Sequence, residues 1–168
     1  ESGQNLNEFA RRGAAMYLNM IFRDGFYHAD PHPGNLMLLK DNIVGVMDCG
    51  MVGRLDESLR EDVESMLVAA AERDAGRLTE IVLRLGSVPP DCRRDELRAD
   101  IGDFLNDYVA QSLEQFDLSG ALNGLIGIVN RHHILLPASL SMLLKVLVML
   151  EGTSQLLDRN FSLVELIK

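Results

Sequence analysis

Pro31 and Pro33 stand two residues apart in a chain whose periodicity is otherwise helical. A proline inside a helix removes one i→i−4 hydrogen bond and collides with the preceding turn, so no helix runs through residues 26–35. The chain must therefore divide into a helix, an irregular loop and a second helical part. Upstream of the break, residues 7–23 place Phe9, Ala10, Ala14, Tyr17, Leu18, Ile21 and Phe22 at helical spacing. Asp24-Gly25 ends that segment, glycine being a ready left-handed terminator. Downstream, 36–39 and 43–47 are short apolar runs flanking Lys40-Asp41-Asn42, a hairpin signature.

From Asp56 the helical period returns and persists. Asp56 caps a predicted helix to about residue 73, with Leu59, Val63, Met66, Leu67 and Ala70 on one face. Asp74 caps the next, closed by Gly86 ahead of Val88-Pro89-Pro90. Further helices are expected at 94–116, 119–133 and 137–157, the last with Pro137 at its first turn, and a short one after Ser162. The expected fold class is mainly α (α+β), a helical bundle with one short β-hairpin that carries the loop. The 168 residues, 47% of them hydrophobic, suffice for a single domain with a sizeable core.

Charge and cysteine usage narrow the function. Sixteen basic residues against 25 acidic ones give a net charge of −9, which argues against nucleic acid as a partner, since phosphates are neutralised by clustered Lys and Arg. Cys49 and Cys92 are far apart and form no CxxC pair, so neither a disulfide framework nor a zinc site is indicated, and a reducing compartment is the default. Residues 134–150 are strongly apolar but include Pro137 and Lys145, so the segment reads as a buried core helix and not a membrane span.

The loop itself holds the chemistry. His28-Ala29-Asp30-Pro31-His32-Pro33-Gly34-Asn35 is followed, after the hairpin, by Asp48-Cys49-Gly50. Phosphoryl transfer needs a carboxylate beside the attacking hydroxyl and hard oxygen ligands that hold Mg²⁺ against nucleotide phosphates. Protein kinases put these groups on H-R-D-x-x-x-x-N and a later D-F-G. Here Asp30 and Asn35 have the same spacing, and Asp48 lies 13 residues beyond Asn35. On this pattern Asp30 is the catalytic carboxylate, and Asn35 and Asp48 are the metal ligands that also bind the nucleotide. Gly50 supplies backbone freedom in the D-x-G turn. His32 is a candidate contact to the γ-phosphate, while His28, Pro33 and Gly34 shape the loop. A competing reading makes His28, Asp30 and His32 a transition-metal cluster, but it leaves Asn35 and Asp48 without a role. The His132-His133 pair is expected to cap a helix C-terminus.

The departures from the kinase pattern carry information too. Ala29 replaces the arginine that reads a phosphorylated activation loop, and Cys49 replaces the D-F-G aromatic. No A-P-E follows Gly50, and Leu55-Asp56-Glu57 enters a helix almost at once. With these features, the run from Phe26 to Asn35 and Asp48-Cys49-Gly50 resembles the signature of the UbiB/AarF family, also called the ABC1-type kinase-like family. The resemblance implies a protein-kinase-like C-lobe, ATP and Mg²⁺ as cofactors, and ATPase or unorthodox kinase activity. It also implies a link to ubiquinone or other isoprenoid-quinone metabolism in bacteria, mitochondria or plastids. Membrane association on the cytoplasmic side, and membrane or lipid-pathway partners, belong to the same implication.

A kinase further needs a nucleotide-covering loop and a lysine–glutamate pair from an N-lobe, which this family supplies with an alanine-rich loop and a K-x-G-Q segment. Only one helix precedes Asp30, and the chain begins at Glu1 without methionine, so the expectation is a C-lobe whose N-lobe is the missing partner and which by itself is inactive. Two alternatives stand beside this reading. One is a small-molecule kinase of the aminoglycoside-phosphotransferase kind, and the other is a non-catalytic pseudokinase module that binds nucleotide.

Overall fold

Aspartate caps start three of the helices. In the computed structural model, which describes residues 6–40, 43–109, 117–163 and 166, Asp56 Oδ1 accepts from the Leu59 N–H at 2.8 Å and opens α2 (Glu57–Ala71). Asp74 Oδ1 accepts from the Arg77 N–H at 2.9 Å and opens α3 (Ala75–Leu85). Each side chain satisfies a first-turn N–H that has no partner inside its helix. α4 is Arg94–Val109, and the remainder of the helix expected to residue 116 lies outside the described residues. α5 (Leu118–Arg131) begins one residue before the expected Ser119, because Asp117 Oδ1 takes the Gly120 N–H at 2.8 Å. α6 (Ala138–Leu157) follows Pro137 directly. The short helix expected after Ser162 falls mostly outside the described residues.

The chain forms two compact units, Asp56–Ser141 and Glu1–Leu55 with Met142–Lys168. In the first, α3 packs on α2 and α4, and α4 on α5. Leu97, Ile101 and Leu105 recur every four residues on α4 and are fully buried against Leu78, Ile81 and Val82 of α3 and Ile128 and Val129 of α5. Burying side chains of this size stabilises by about 1.5–3 kcal/mol each, which explains why spacing alone locates these helices. The His132-His133 expectation changes in detail. His132 is the C-cap residue of α5, but its ring donates to Asp100 Oδ2 at 3.0 Å, and Arg131 donates to the same oxygen at 2.9 Å. His132 first, then Arg131, holds the Asp100 carboxyl below its ordinary range. The ring thus bonds a carboxylate of α4 while the residue stands at the C-terminus of α5, where the helix was expected to be capped.

The second unit begins with α1 (Leu6–Leu18), which runs into a single π turn at Asn19–Arg23 closed by Asp24 N–H donating to Asn19 O at 3.0 Å. Gly25 then takes φ +64°, and a Cβ there would lie 2.8 Å from Leu55 O, so both torsion and space require glycine. Among the described residues the β structure is richer than one hairpin. β2 (Leu36–Leu38) pairs antiparallel with β3 (Val44–Val46), as expected, and the turn between them includes residues 41–42 outside the described set. A second pair joins β1 (Phe26–His28) to β4 (Val52–Arg54), with Tyr27 opposite Gly53. These ladders are nested. The chain leaves the outer pair after His28, returns as the inner hairpin, and rejoins the outer pair at Val52. The interruption has a plain cause, since Pro31 and Pro33 have no N–H to give a ladder.

α6 is long and apolar enough to cross a membrane by length and composition, with a mean hydropathy of 1.4, and half of that window is buried. Leu140, Leu143, Leu144, Val146, Leu147 and Leu150 are all buried, together with Glu151.

Candidate functional site

The two segments that leave the ladder, 29–35 and 47–51, carry Asp30, Asn35 and Asp48, and backbone bonds hold them side by side. Ala29 N–H donates to Met51 O at 2.9 Å, and Met47 N–H donates to Asn35 O at 2.8 Å. Asn35 is thereby fixed next to the residue that precedes Asp48. Its side-chain Nδ2 donates to Asp30 Oδ2 at 2.8 Å and to the Asp30 carbonyl at 3.1 Å. Only the amide nitrogen can face two oxygens, so Asn35 Oδ1 is turned away from Asp30.

His28 closes the arrangement from beneath. Its Nε2 donates to the Asp48 carbonyl at 2.8 Å, and its Nδ1 accepts from the Asp30 N–H at 3.2 Å. A carbonyl only accepts and an amide N–H only donates, so these partners fix the tautomer with the proton on Nε2. The 5% exposed ring therefore ties the backbone of Asp30 to that of Asp48. With both nitrogens engaged by backbone, His28 has none left for a metal, and the transition-metal reading of His28, Asp30 and His32 loses a ligand. His32 is exposed, and its Nδ1 accepts from the Gly34 N–H at 3.0 Å as the cap of a 3-10 turn over Pro33–Asn35. Only its Nε2 could meet a phosphate.

Asp48 adopts φ +49°, the left-handed region, which Asp tolerates better than most residues because its carboxylate can bond locally. Here Asp48 Oδ1 accepts from the Gly50 N–H at 3.1 Å. The backbone freedom expected of Gly50 belongs to Asp48 itself. A Cβ at Gly50 would lie 3.0 Å from Asp48 Oδ1, so a larger residue there would press on that carboxylate. The carboxylate is exposed, with Oδ2 directed to neither of these contacts.

Asn35 Oδ1 and the Asp48 carboxylate are hard oxygens. They fit Mg²⁺, which takes one or two protein ligands and completes its shell with phosphate and water. Among the described residues no three His, Cys, Asp or Glu side chains converge as a metal group.

Two residues of the site carry no motif. Tyr17 of α1, fully buried, places its hydroxyl 3.2 Å from His28 Nδ1 and its ring edge-on to the imidazole. Burial, then the Asp30 charge and then Cys49, pushes the Tyr17 phenol up to about 12. A buried tyrosine hydroxyl needs a polar partner, and that need is the signal which could have set Tyr17 apart from its apolar helix face. Thr153 of α6 donates to the Pro31 carbonyl at 3.1 Å across 122 residues, a contact with no local signature.

A loop with the H-x-D-x-x-x-x-N spacing of kinases, set on nested ladders and followed after Gly50 by an early helix, marks a kinase-like chain of mainly helical build. Residues 1–82 match the model of the ABC1 atypical kinase-like domain, and residues 101–162 match that of the UbiB helical domain. The chain belongs to the UbiB/AarF family of kinase-like proteins. It is 30% identical over 165 residues to an uncharacterized protein in the hydrogenase 1 5′ region of Clostridium pasteurianum, covering 98% of this chain and 31% of that protein. It is 35% identical over 136 residues to an uncharacterized protein of Synechocystis sp., covering 81% of this chain and 33% of that protein. The chain thus spans about a third of the length of these relatives. No solved structure matches it significantly.

Proposed function

We propose that this chain provides the catalytic loop and metal ligands of an ATP- and Mg²⁺-dependent phosphotransferase or ATPase. The observation that carries the proposal is the closed circuit of hydrogen bonds joining Asp30 to Asn35, Asn35 to Met47, and Asp48 through His28 back to Asp30. A carboxylate held by an asparagine beside a second, exposed carboxylate is the constellation that phosphoryl transfer requires. Asp30 Oδ2 is occupied by Asn35, which leaves Oδ1 to orient the attacking hydroxyl or water and take its proton. Asn35 Oδ1 and Asp48 would hold the ion. Bound Mg²⁺ and ATP supply the phosphoryl group and neutralise the charge that develops on it. A nucleotide-covering N-lobe of the same protein is the proposed partner. Membrane association and an acceptor within isoprenoid-quinone metabolism are supported by family membership alone.

The test is turnover of the full-length protein. Asp30→Asn keeps the size and the Asn35 contact but removes the base, so kcat should fall about 10²–10⁴-fold while the nucleotide KM holds. Turnover at the wild-type rate would remove Asp30 from the chemistry.

A further inference from the structure

Pro31 follows Asp30 directly, is buried, and has no N–H, so its carbonyl is the one backbone hydrogen-bonding group it offers. That carbonyl receives the Thr153 hydroxyl, and Thr153 is itself 9% exposed. A threonine inside a helix commonly returns its hydroxyl to the carbonyl four residues back, as Thr79 does here to Ala75 O at 2.6 Å. Thr153 instead donates outward, to the loop. Its target is the peptide immediately after the candidate base.

The Asp30 backbone is therefore held on both sides. His28 Nδ1 takes its N–H, and Thr153 takes the carbonyl one residue later. The two family matches divide the chain so that Asp30 lies in the kinase-like portion and Thr153 in the helical portion, yet both residues fall in one compact unit. We propose that Thr153 is a positioning residue for the reaction at Asp30, a contribution of the helical portion to the catalytic loop. The proposal rests on the phosphoryl-transfer reading above. Loss of the hydroxyl leaves the buried Pro31 carbonyl without its donor and frees the loop to shift toward water, away from the geometry in which Asp30 meets its nucleophile.

The experiment compares Thr153→Val, which keeps shape and removes the hydroxyl, with Thr153→Ser, which keeps the hydroxyl. Thr79→Val is the control, removing a like bond elsewhere. In the full-length protein Thr153→Val should lower kcat about tenfold with nucleotide KM within about twofold, Thr153→Ser should restore most of it, and Thr79→Val should leave kcat unchanged. The His32 amide 15N resonance of this chain reports the Pro31 carbonyl directly, and it should move in Thr153→Val and return in Thr153→Ser. Equal losses in the Val and Ser variants, or a wild-type kcat in Thr153→Val while Asp30→Asn is inactive, would overturn the proposal. An active Asp30→Asn would instead overturn the reading of the reaction, and an unmoved His32 resonance would then dispose of the loop contact as well.

Discussion

Gly53→Ala is the smallest change expected to disturb the nested ladders. Tyr27 and Gly53 are opposite partners in the β1–β4 pair, and the Tyr27 ring lies over the glycine. A Cβ at Gly53 would sit 2.6 Å from Tyr27 Cε2 and Oη and closer still to Cζ, where carbon contacts are ordinarily about 3.5–4.0 Å. The ring must therefore retreat by about 1 Å within packing that leaves it 1% exposed. Expelling it would forfeit roughly 150–250 Å² of burial, or about 4–6 kcal/mol, so the ring yields in place. Overpacking of this kind costs about 1–3 kcal/mol, which for a chain of this size lowers Tm by roughly 2–12 °C. The assay is urea and thermal unfolding of Gly53→Ala in the wild-type background and in Tyr27→Val, whose shorter side chain has no atoms over position 53. The loss should largely vanish in the second background, giving a coupling of about 1–3 kcal/mol. Equal losses in both backgrounds would refute the steric reasoning.

Two further predictions come from the same buried aromatics. Tyr27 Oη is buried with no hydrogen-bond partner among the described residues, so Tyr27→Phe should match or exceed wild-type stability by up to about 1 kcal/mol in urea unfolding, whereas a loss would show that the hydroxyl is satisfied in solution. The folded Tyr17 phenol titrates at about 12 against an ordinary value of 10.0, so its contribution to stability is complete below 10 and is lost as pH rises through 12. Tyr17→Phe should therefore show a shallower decline in stability above pH 10 than wild type, and identical alkaline profiles would contradict the assignment.

The legible parts of the fold were those with local causes. Asp56 and Asp74 cap helices with their own side chains, and Leu97, Ile101 and Leu105 repeat at the helical period, so a short window suffices. The spacing of Asp30, Asn35 and Asp48 predicts their convergence, and the structure brings them together through the Asn35–Asp30 bond and the His28 bridge to Asp48. The β1–β4 pair was not legible, since Val52-Gly53-Arg54 is three residues long and has no alternation to mark it. Gly50 was assigned for torsion, but the positive φ falls on Asp48, and a sequence cannot show which residue of a D-x-G turn bends. Tyr17 looked like one more core position. Thr153 acts across 122 residues, a distance over which no periodicity carries information.

Calorimetric titration of the full-length protein with ATP, with and without Mg²⁺, tests most directly the proposal that Asp48 presents a metal-binding carboxylate to a nucleotide beside Asp30 and Asn35. Asp48→Asn removes one hard anionic oxygen and should weaken Mg-ATP binding by about tenfold or more while leaving metal-free ATP binding unchanged. Mg-ATP affinity equal to wild type in Asp48→Asn would contradict the account.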